Sequence, residues 1–133
     1  METKPFQDIV NCVKKFHESF GLDCLESHHE MPDEQTIRLR HRLMQEENDE
    51  YLEAALNNNT ELVADALGDK LYILCGTILA HGLQHKIEEV FFEIHRSNMS
   101  KLGTDGKPIY REDGKVMKGP GYFLPDIKAI LKS

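Results

Sequence analysis

Apolar residues recur at helical spacing along most of the chain. Residues 3 to 20 put Phe6, Ile9, Val10, Val13, Phe16 and Phe20 on one face, the spacing of an amphipathic helix. Thr3 is its candidate N-cap, Pro5 is tolerated in the first turn, and Gly21 ends it. A second helix is expected to begin between Pro32 and Glu34 and to reach Leu56, where Asn57-Asn58-Asn59 makes a turn. Asn58, with Glu61 three residues later, has the form of a capping box opening a third helix over 60–80. That helix is apolar nearly all round, with Leu67, Leu71, Leu74 and Ile78 on one side and Leu62 and Ile73 on the other, so it belongs at the centre of a bundle. Gly82 terminates it. A fourth helix over 86–99 is expected to bury Ile87, Val90, Phe91 and Ile94, and a short fifth helix spans 126–132. The pattern predicts an all-α fold, a single domain over 1–133 built as a four- to five-helix bundle. Four helices barely surround the third one, so part of its surface is expected to meet a second copy of the chain.

Between the last two helices, residues 100–125 change character. Five cations are interleaved with Gly103, Gly106, Gly114, Gly119 and Gly121 and with Pro108, Pro120 and Pro125, which is turn chemistry. Asp105-Gly106-Lys107 and Asp113-Gly114-Lys115 echo one another, and the residues flanking Glu112-Asp113-Gly114 could pair as a short β-hairpin. A Walker-type phosphate loop is excluded, because Gly103 to Gly106-Lys107 is too short and Pro108 stands where Ser or Thr is needed. A loop this long in a small domain is either functional or a mobile tail. Tyr110, Tyr122, Phe123 and Leu124 favour the functional reading, since they would tie it down.

The pattern breaks most informatively at Glu46-Glu47-Asn48-Asp49-Glu50. At about 100° per residue, Glu46, Glu50 and Glu47 fall at about 0°, 40° and 100°, among Leu39, Leu43 and Ala54 at about 20°, 60° and 80°. The acids share the apolar stripe. A solvated acidic face is the common arrangement, but Asn48, Glu53 and Asn57 already supply one here. Asp65 and Asp69 repeat the situation on the third helix, sharing a face with Leu62, Ala66, Ile73, Gly76 and Ala80. Like charges on core-facing positions need neutralising cations or protons. Oxygen donors without Cys or His on the stripe suit a hard cation, Mg²⁺ or Mn²⁺. Arg38, Arg40 and Arg42 precede the motif, and surface ion pairing is the expected role for them over phosphate binding.

Charge changes the picture further. The net charge of −7 argues against general nucleic-acid binding, yet residues 1–94 hold 8 Lys/Arg against 19 Asp/Glu while residues 95–133 hold 8 against 4. An acidic body therefore carries a basic tail, and cations facing a metal-loaded acidic body are what phosphoryl chemistry requires. Cys12, Cys24 and Cys75 are odd in number and widely spaced, which fits reduced thiols in a cytoplasmic protein. Cys12, Cys24, His28 and His29 lack the short Cys pairs of zinc sites. The start of the chain has no signal-peptide pattern, and the nearly apolar run Leu71 to Ala80 is too short to span a bilayer.

At these residues the sequence resembles the all-α NTP pyrophosphohydrolase superfamily, in its MazG-like branch, the group of MazG, phosphoribosyl-ATP pyrophosphohydrolase and the all-α dUTPases. The family's Glu-Glu-x-x-Glu motif stands here as Glu46-Glu47-Asn48-Asp49-Glu50, and its later Glu-x-x-Asp element is matched at Asp69 only. Ala66 occupies the expected Glu position, with Asp65 beside it. Arg96-Ser97-Asn98-Met99-Ser100-Lys101 and the tail from Asp105 to Pro120 resemble the same branch, so the likeness runs from about residue 6 to 126. It implies a homodimer or dimer of dimers and Mg²⁺-dependent hydrolysis of a nucleoside triphosphate to monophosphate plus pyrophosphate. Glu46, Glu47, Glu50 and Asp69 would hold metal, with Asp65 as an additional ligand, and Glu46 or Glu47 would orient or deprotonate the attacking water. Lys101 with Lys107, Lys115 and Lys118 would steady the pyrophosphate, and Asn98 and Tyr122 are candidates for sugar or base contacts. For Asn98 a helix C-cap is an equal alternative, and for Tyr122 simple packing is favoured.

Two competing readings are weaker. A di-iron bundle needs paired Glu-x-x-His motifs on helices, and here Glu26-Ser27-His28-His29 stands in a loop. A non-catalytic nucleotide sensor or adaptor on the same fold is supported by Ala66.

Overall fold

A computed structural model of the chain describes residues 5–133 and is all-α, with five helices: α1 (Phe6–Phe20), α2 (Glu34–Leu56), α3 (Thr60–Ala80), α4 (Ile87–Met99) and α5 (Ile127–Lys132). No strand accompanies them among the described residues. The chain forms two compact units, Met1–Gln84 and His85–Ser133.

In the first unit α3 packs against both α1 and α2. Its core is Val10 and Val13 of α1 with Cys75 and Leu79 of α3, and Phe6 and Cys24 pack against them. Local chemistry sets the helix ends. Asp33 caps α2 by accepting from Thr36 N at 2.8 Å, and Gly21 closes α1 in the left-handed conformation at φ 69°. The cap of α3 is Asn59, whose side chain accepts from Leu62 N at 3.1 Å, rather than Asn58. Asn58 sits in the turn at φ 55°, a conformation Asn tolerates better than most residues. Thr3 lies outside the described residues. The segment after α1 runs back along the end of α3: Leu25 N donates to Leu79 O at 3.1 Å and Gln84 Nε2 donates to Leu25 O at 2.9 Å.

Amphipathic spacing overstates what is buried. On α1 the faces close at Val10, Val13 and His17, while Phe16 and Phe20 are exposed. On α3 Ala66, Cys75, Gly76 and Ile78 to Ala80 are buried, but Leu62, Leu67, Leu71 and Leu74 are not. The helix is thus central within the unit and still presents an apolar flank, because two neighbours cover only part of a helix's circumference. Arg40 departs from the expected surface pairing. It is buried, donating from Nη2 to Ile73 O at 2.7 Å and from Nε to Thr77 Oγ1 at 3.1 Å, while Arg38 pairs with Glu34 on the surface.

The second unit is held mainly by polar contacts to α4. Ser97 is buried there, and Phe91 and Ile94, expected inside, are exposed. Ser97 Oγ donates to Phe123 O at 2.8 Å, and Phe123 N donates to Ser100 Oγ at 3.2 Å. Glu93 accepts from Asp126 N at 2.7 Å and pairs with Arg96, whose guanidinium lies 4.3 Å from the centre of the Phe123 ring. The C-cap of α4 is Ser100, not Asn98. The expected hairpin is reduced to a single antiparallel bridge between Tyr110 and Val116. The echo in the sequence is one turn built twice. Gly106 N donates to Gly103 O and Lys107 N to Asp105 Oδ1; Gly114 N donates to Arg111 O and Lys115 N to Asp113 Oδ1. In each, the glycine takes positive φ, 75° and 88°, as a type I turn followed by a left-handed residue demands.

Gly119 closes the loop by donating its N–H to Lys101 O at 2.8 Å, and a Cβ there would overlap the Lys101 and Leu102 carbonyls. Gly119→Ala should therefore loosen residues 100–125 while sparing the first unit. Amide exchange is the check: faster exchange at Tyr122 and Phe123 with unchanged protection in α3 is expected, and unchanged exchange throughout would refute the assignment.

Candidate metal centre

Glu47 and Glu50 lie one turn apart on α2, and Asp69 lies on α3. The two helices, joined by a three-residue turn, run antiparallel, as the pairings of Arg40 with Thr77 and of Asn48 with Lys70 require. This register brings one carboxylate oxygen from each of Glu47, Glu50 and Asp69 within 4.8 Å of one another. Small side chains let the backbones approach on the turn side of the cluster, where Ala54 and Ala66 are buried. The acids do not sit in the core as the helical wheel suggested. Glu47 is half-buried at the edge of the α2–α3 seam, and Glu50 and Asp69 are exposed, so water relieves much of the like-charge repulsion.

Glu47 carries the strain that remains. Its Oε2 is buried without a hydrogen-bond partner. Burial pushes its carboxyl up from 4.5 to about 7, helped by the hydrogen bond with Glu50 and by the charges of Glu50, Asp69 and Asp65. Three carboxylates with converging oxygens, one of them also carrying a buried oxygen without a partner, are a donor set that a hard divalent cation fits, since such ions take oxygen ligands and neutralise their charge. Among the described residues this is the group of three His, Cys, Asp or Glu side chains with converging ligand atoms.

Glu46 and Asp65 are exposed and outside that trio, although Asp65 is near enough to act on Glu47. Asp65 and Glu50 also line an open pocket of about 270 Å³, together with Ala54, Leu62 and Ala66. Ala66 is buried, so no carboxylate occupies the position where the motif would have Glu. Beside the trio, Lys70 Nζ donates to Asn48 Oδ1 across the two helices; this contact had no signal in the sequence, where Asn48 reads as part of a polar face. Arg40 was equally hidden, but Gly76 within an apolar helix marks the room its guanidinium needs.

The remaining candidates belong to the second unit. Asn98 is exposed in the last turn of α4, and the half-buried Lys101 lends its carbonyl to Gly119. Lys107 and Lys115 occupy equivalent places in the twin turns. Lys118 Nζ lies 4.8 Å from the centre of the Tyr122 ring, a cation–π contact that gives Tyr122 a packing role.

The raised Glu47 carboxyl fixes the sign of a pH effect. The native state holds this proton more tightly than the unfolded chain does, so its contribution to stability is complete below pH 4.5 and is lost as pH rises through about 7. Chelator-treated protein should show a falling urea midpoint between pH 5 and 8, and Glu47→Gln should flatten that fall. A pH-independent midpoint in the unsubstituted protein would contradict the clustered geometry.

Comparison with known proteins follows the same residues. No curated protein matches the chain, whereas 24 chains of solved structures do. One is a crystal structure from Exiguobacterium sp. 255-15, provisionally described as an NTP pyrophosphohydrolase, with 24% identity over 98% of this chain and 94% of that one and a TM-score of 0.49. The family model of phosphoribosyl-ATP pyrophosphohydrolase matches residues 13–98, which take in the helices α2 and α3 and all three converging carboxylates. With well over half of its length matched, the chain belongs to the phosphoribosyl-ATP pyrophosphohydrolase family.

Proposed function

We propose that this protein is a Mg²⁺-dependent nucleoside triphosphate pyrophosphohydrolase that cleaves between the α- and β-phosphates of an NTP or dNTP, yielding the monophosphate and pyrophosphate. Family membership supports a nucleotide pyrophosphohydrolase in general. The observation that carries the finer reading is the convergence of Glu47, Glu50 and Asp69 with one buried, unpartnered oxygen on Glu47. These three residues would hold Mg²⁺, with Mn²⁺ as a substitute, and Asp65 and Glu46 flank them as additional ligands. Bound there, the cation would neutralise triphosphate charge and make water a better nucleophile. Glu46, exposed and outside the trio, is free to orient or deprotonate that water, and Glu47 is the alternative base. Lys101, Lys107, Lys115 and Lys118 are the cations assigned to pyrophosphate, Asn98 to the sugar or base, and Tyr122 to a weaker contact alongside its packing against Lys118.

The partner we assign is a second copy of the chain, in a homodimer or dimer of dimers. Leu52 and Leu56 on α2 and Leu62, Leu67 and Leu74 on α3 are exposed, more apolar surface on adjacent helices than a lone subunit usually presents. Cysteines without disulfides fit a cytoplasmic protein, and among the described residues no helix is long and apolar enough to cross a membrane.

Pyrophosphate release from a panel of NTPs and dNTPs, with Mg²⁺, with Mn²⁺ and with chelator, tests the activity. Metal-dependent release from one or a few nucleotides is expected. Mg²⁺-dependent nucleotide binding without release would instead favour a sensor or adaptor, the reading that Ala66 supports. Glu50→Gln and Asp69→Asn should each lower kcat by more than the roughly 10- to 100-fold that loss of an outer-shell partner costs. Their melting temperatures in chelator should equal or exceed that of the unsubstituted protein, because each removes a repulsive charge. Full activity in either variant would show that the metal lies elsewhere.

A further inference from the structure

Gly76 is an expensive residue for the middle of α3, since glycine in a helix interior is less favourable than alanine by about 0.8–1 kcal/mol. Its neighbours explain it. A Cβ at this position would lie 2.5 Å from Arg40 Nη2 and 2.8 Å from His17 Nε2. By contrast, nothing lies within 4 Å of the position a Cβ would take on Gly68, in the same helix. The notch at Gly76 admits the guanidinium of Arg40, a residue only 7% exposed, and lets it reach Ile73 O and Thr77 Oγ1. Thr77 Oγ1 in turn donates to Ile73 O at 2.9 Å, which aims its lone pairs back at Arg40. On the far side His17 of α1 completes the pocket, with Nδ1 3.4 Å from Asp23 O. Burial lowers the pKa of both His17 and Arg40.

We infer that Arg40 is a positioning residue, the pin that sets the register of α2 against α3 and thereby brings the three carboxylates together. The apolar contacts along this seam are non-directional. Interlocking side-chain ridges therefore offer more than one acceptable offset along the helix axes. Hydrogen bonds have narrow distance and angle limits, and a buried guanidinium that loses them is left with unsatisfied charged donors, which is strongly unfavourable. Any slide of α3 along α2 breaks both bonds at once. Glu47 lies seven residues beyond Arg40, and Asp69 one turn before Ile73, so the pin acts within about 10 Å of the site along the helices. Mg²⁺ demands ligand distances of about 2.0–2.1 Å, finer than apolar packing can enforce. Lys70 also ties the two helices by donating to Asn48, but that contact is exposed, where such contacts contribute little.

The inference rests on the metal reading of Glu47, Glu50 and Asp69, and its test separates the two. Arg40→Met keeps the buried volume without the hydrogen bonds; Thr77→Val removes one acceptor at constant shape. Mn²⁺ binding to chelator-stripped protein is followed by electron paramagnetic resonance, and folding by circular dichroism. We expect Arg40→Met to bind Mn²⁺ at least about tenfold more weakly while keeping native helicity, with Thr77→Val intermediate and Arg40→Lys recovering part of the loss. Native Mn²⁺ affinity in a folded Arg40→Met would overturn the pin and leave the metal centre standing. Should Arg40→Met fail to fold, native affinity in Thr77→Val does the same. Absence of Mn²⁺ binding by the unsubstituted protein would instead overturn the metal reading.

Discussion

Three carboxylates of one sign, contributed by two helices, are held with an oxygen of each within 4.8 Å of the others, and the first unit is arranged around that constraint. Repulsion at Glu47, Glu50 and Asp69 works against the contact of α2 with α3. The rest of the seam holds them together: small buried residues at Ala54 and Ala66 on one side of the cluster, Arg40 seated against Ile73 and Thr77 on the other. The site lies at the edge of the seam rather than in its depth. Only Glu47 surrenders much hydration, and it responds by holding its proton to about pH 7. Partial burial leaves only one of the three carboxylates short of water, so the cluster costs the unfilled protein little.

The second unit uses different physics. It has little apolar core, and its long loop is fastened by backbone and hydroxyl hydrogen bonds to Ser97 and Ser100, by the Glu93–Arg96 pair and by the close passage of Gly119 past Lys101. Twin Asp-Gly-Lys turns give Lys107 and Lys115 matching backbone settings without any regular strand. Cations displayed on short, locally determined turns are fixed at the backbone and free at the ammonium, which suits contact with an anion whose oxygens are spread over several atoms.

Much of the helical framework was legible because its signals are local. The helices end where caps and glycines say they should, with Asp33 and Gly21 at two of the boundaries. The shift from Asn58 to Asn59 reflects a choice between neighbouring residues with the same side chain, which only the turn geometry decides. The carboxylates stood out because acids on an apolar stripe violate the pattern around them. Arg40 did not stand out: its neighbours Arg38 and Arg42 suggested a charged surface, and only Gly76, 36 residues away, records that this arginine goes inside.

Alone, the sequence determined the helices, the turns and the candidate ligands, since spacing, capping and backbone conformation depend on residues a few positions apart. Membership of the family was also legible there, in Glu46-Glu47-Asn48-Asp49-Glu50 and Asp69. Tertiary structure decided which members of those sets lie together. It selected Glu47, Glu50 and Asp69 from five acids, turned Phe91 and the flank of α3 outward, and drew Arg40 inward. These outcomes depend on the register and spacing of whole helices, and a register is a relation between distant segments that no single stretch of chain encodes.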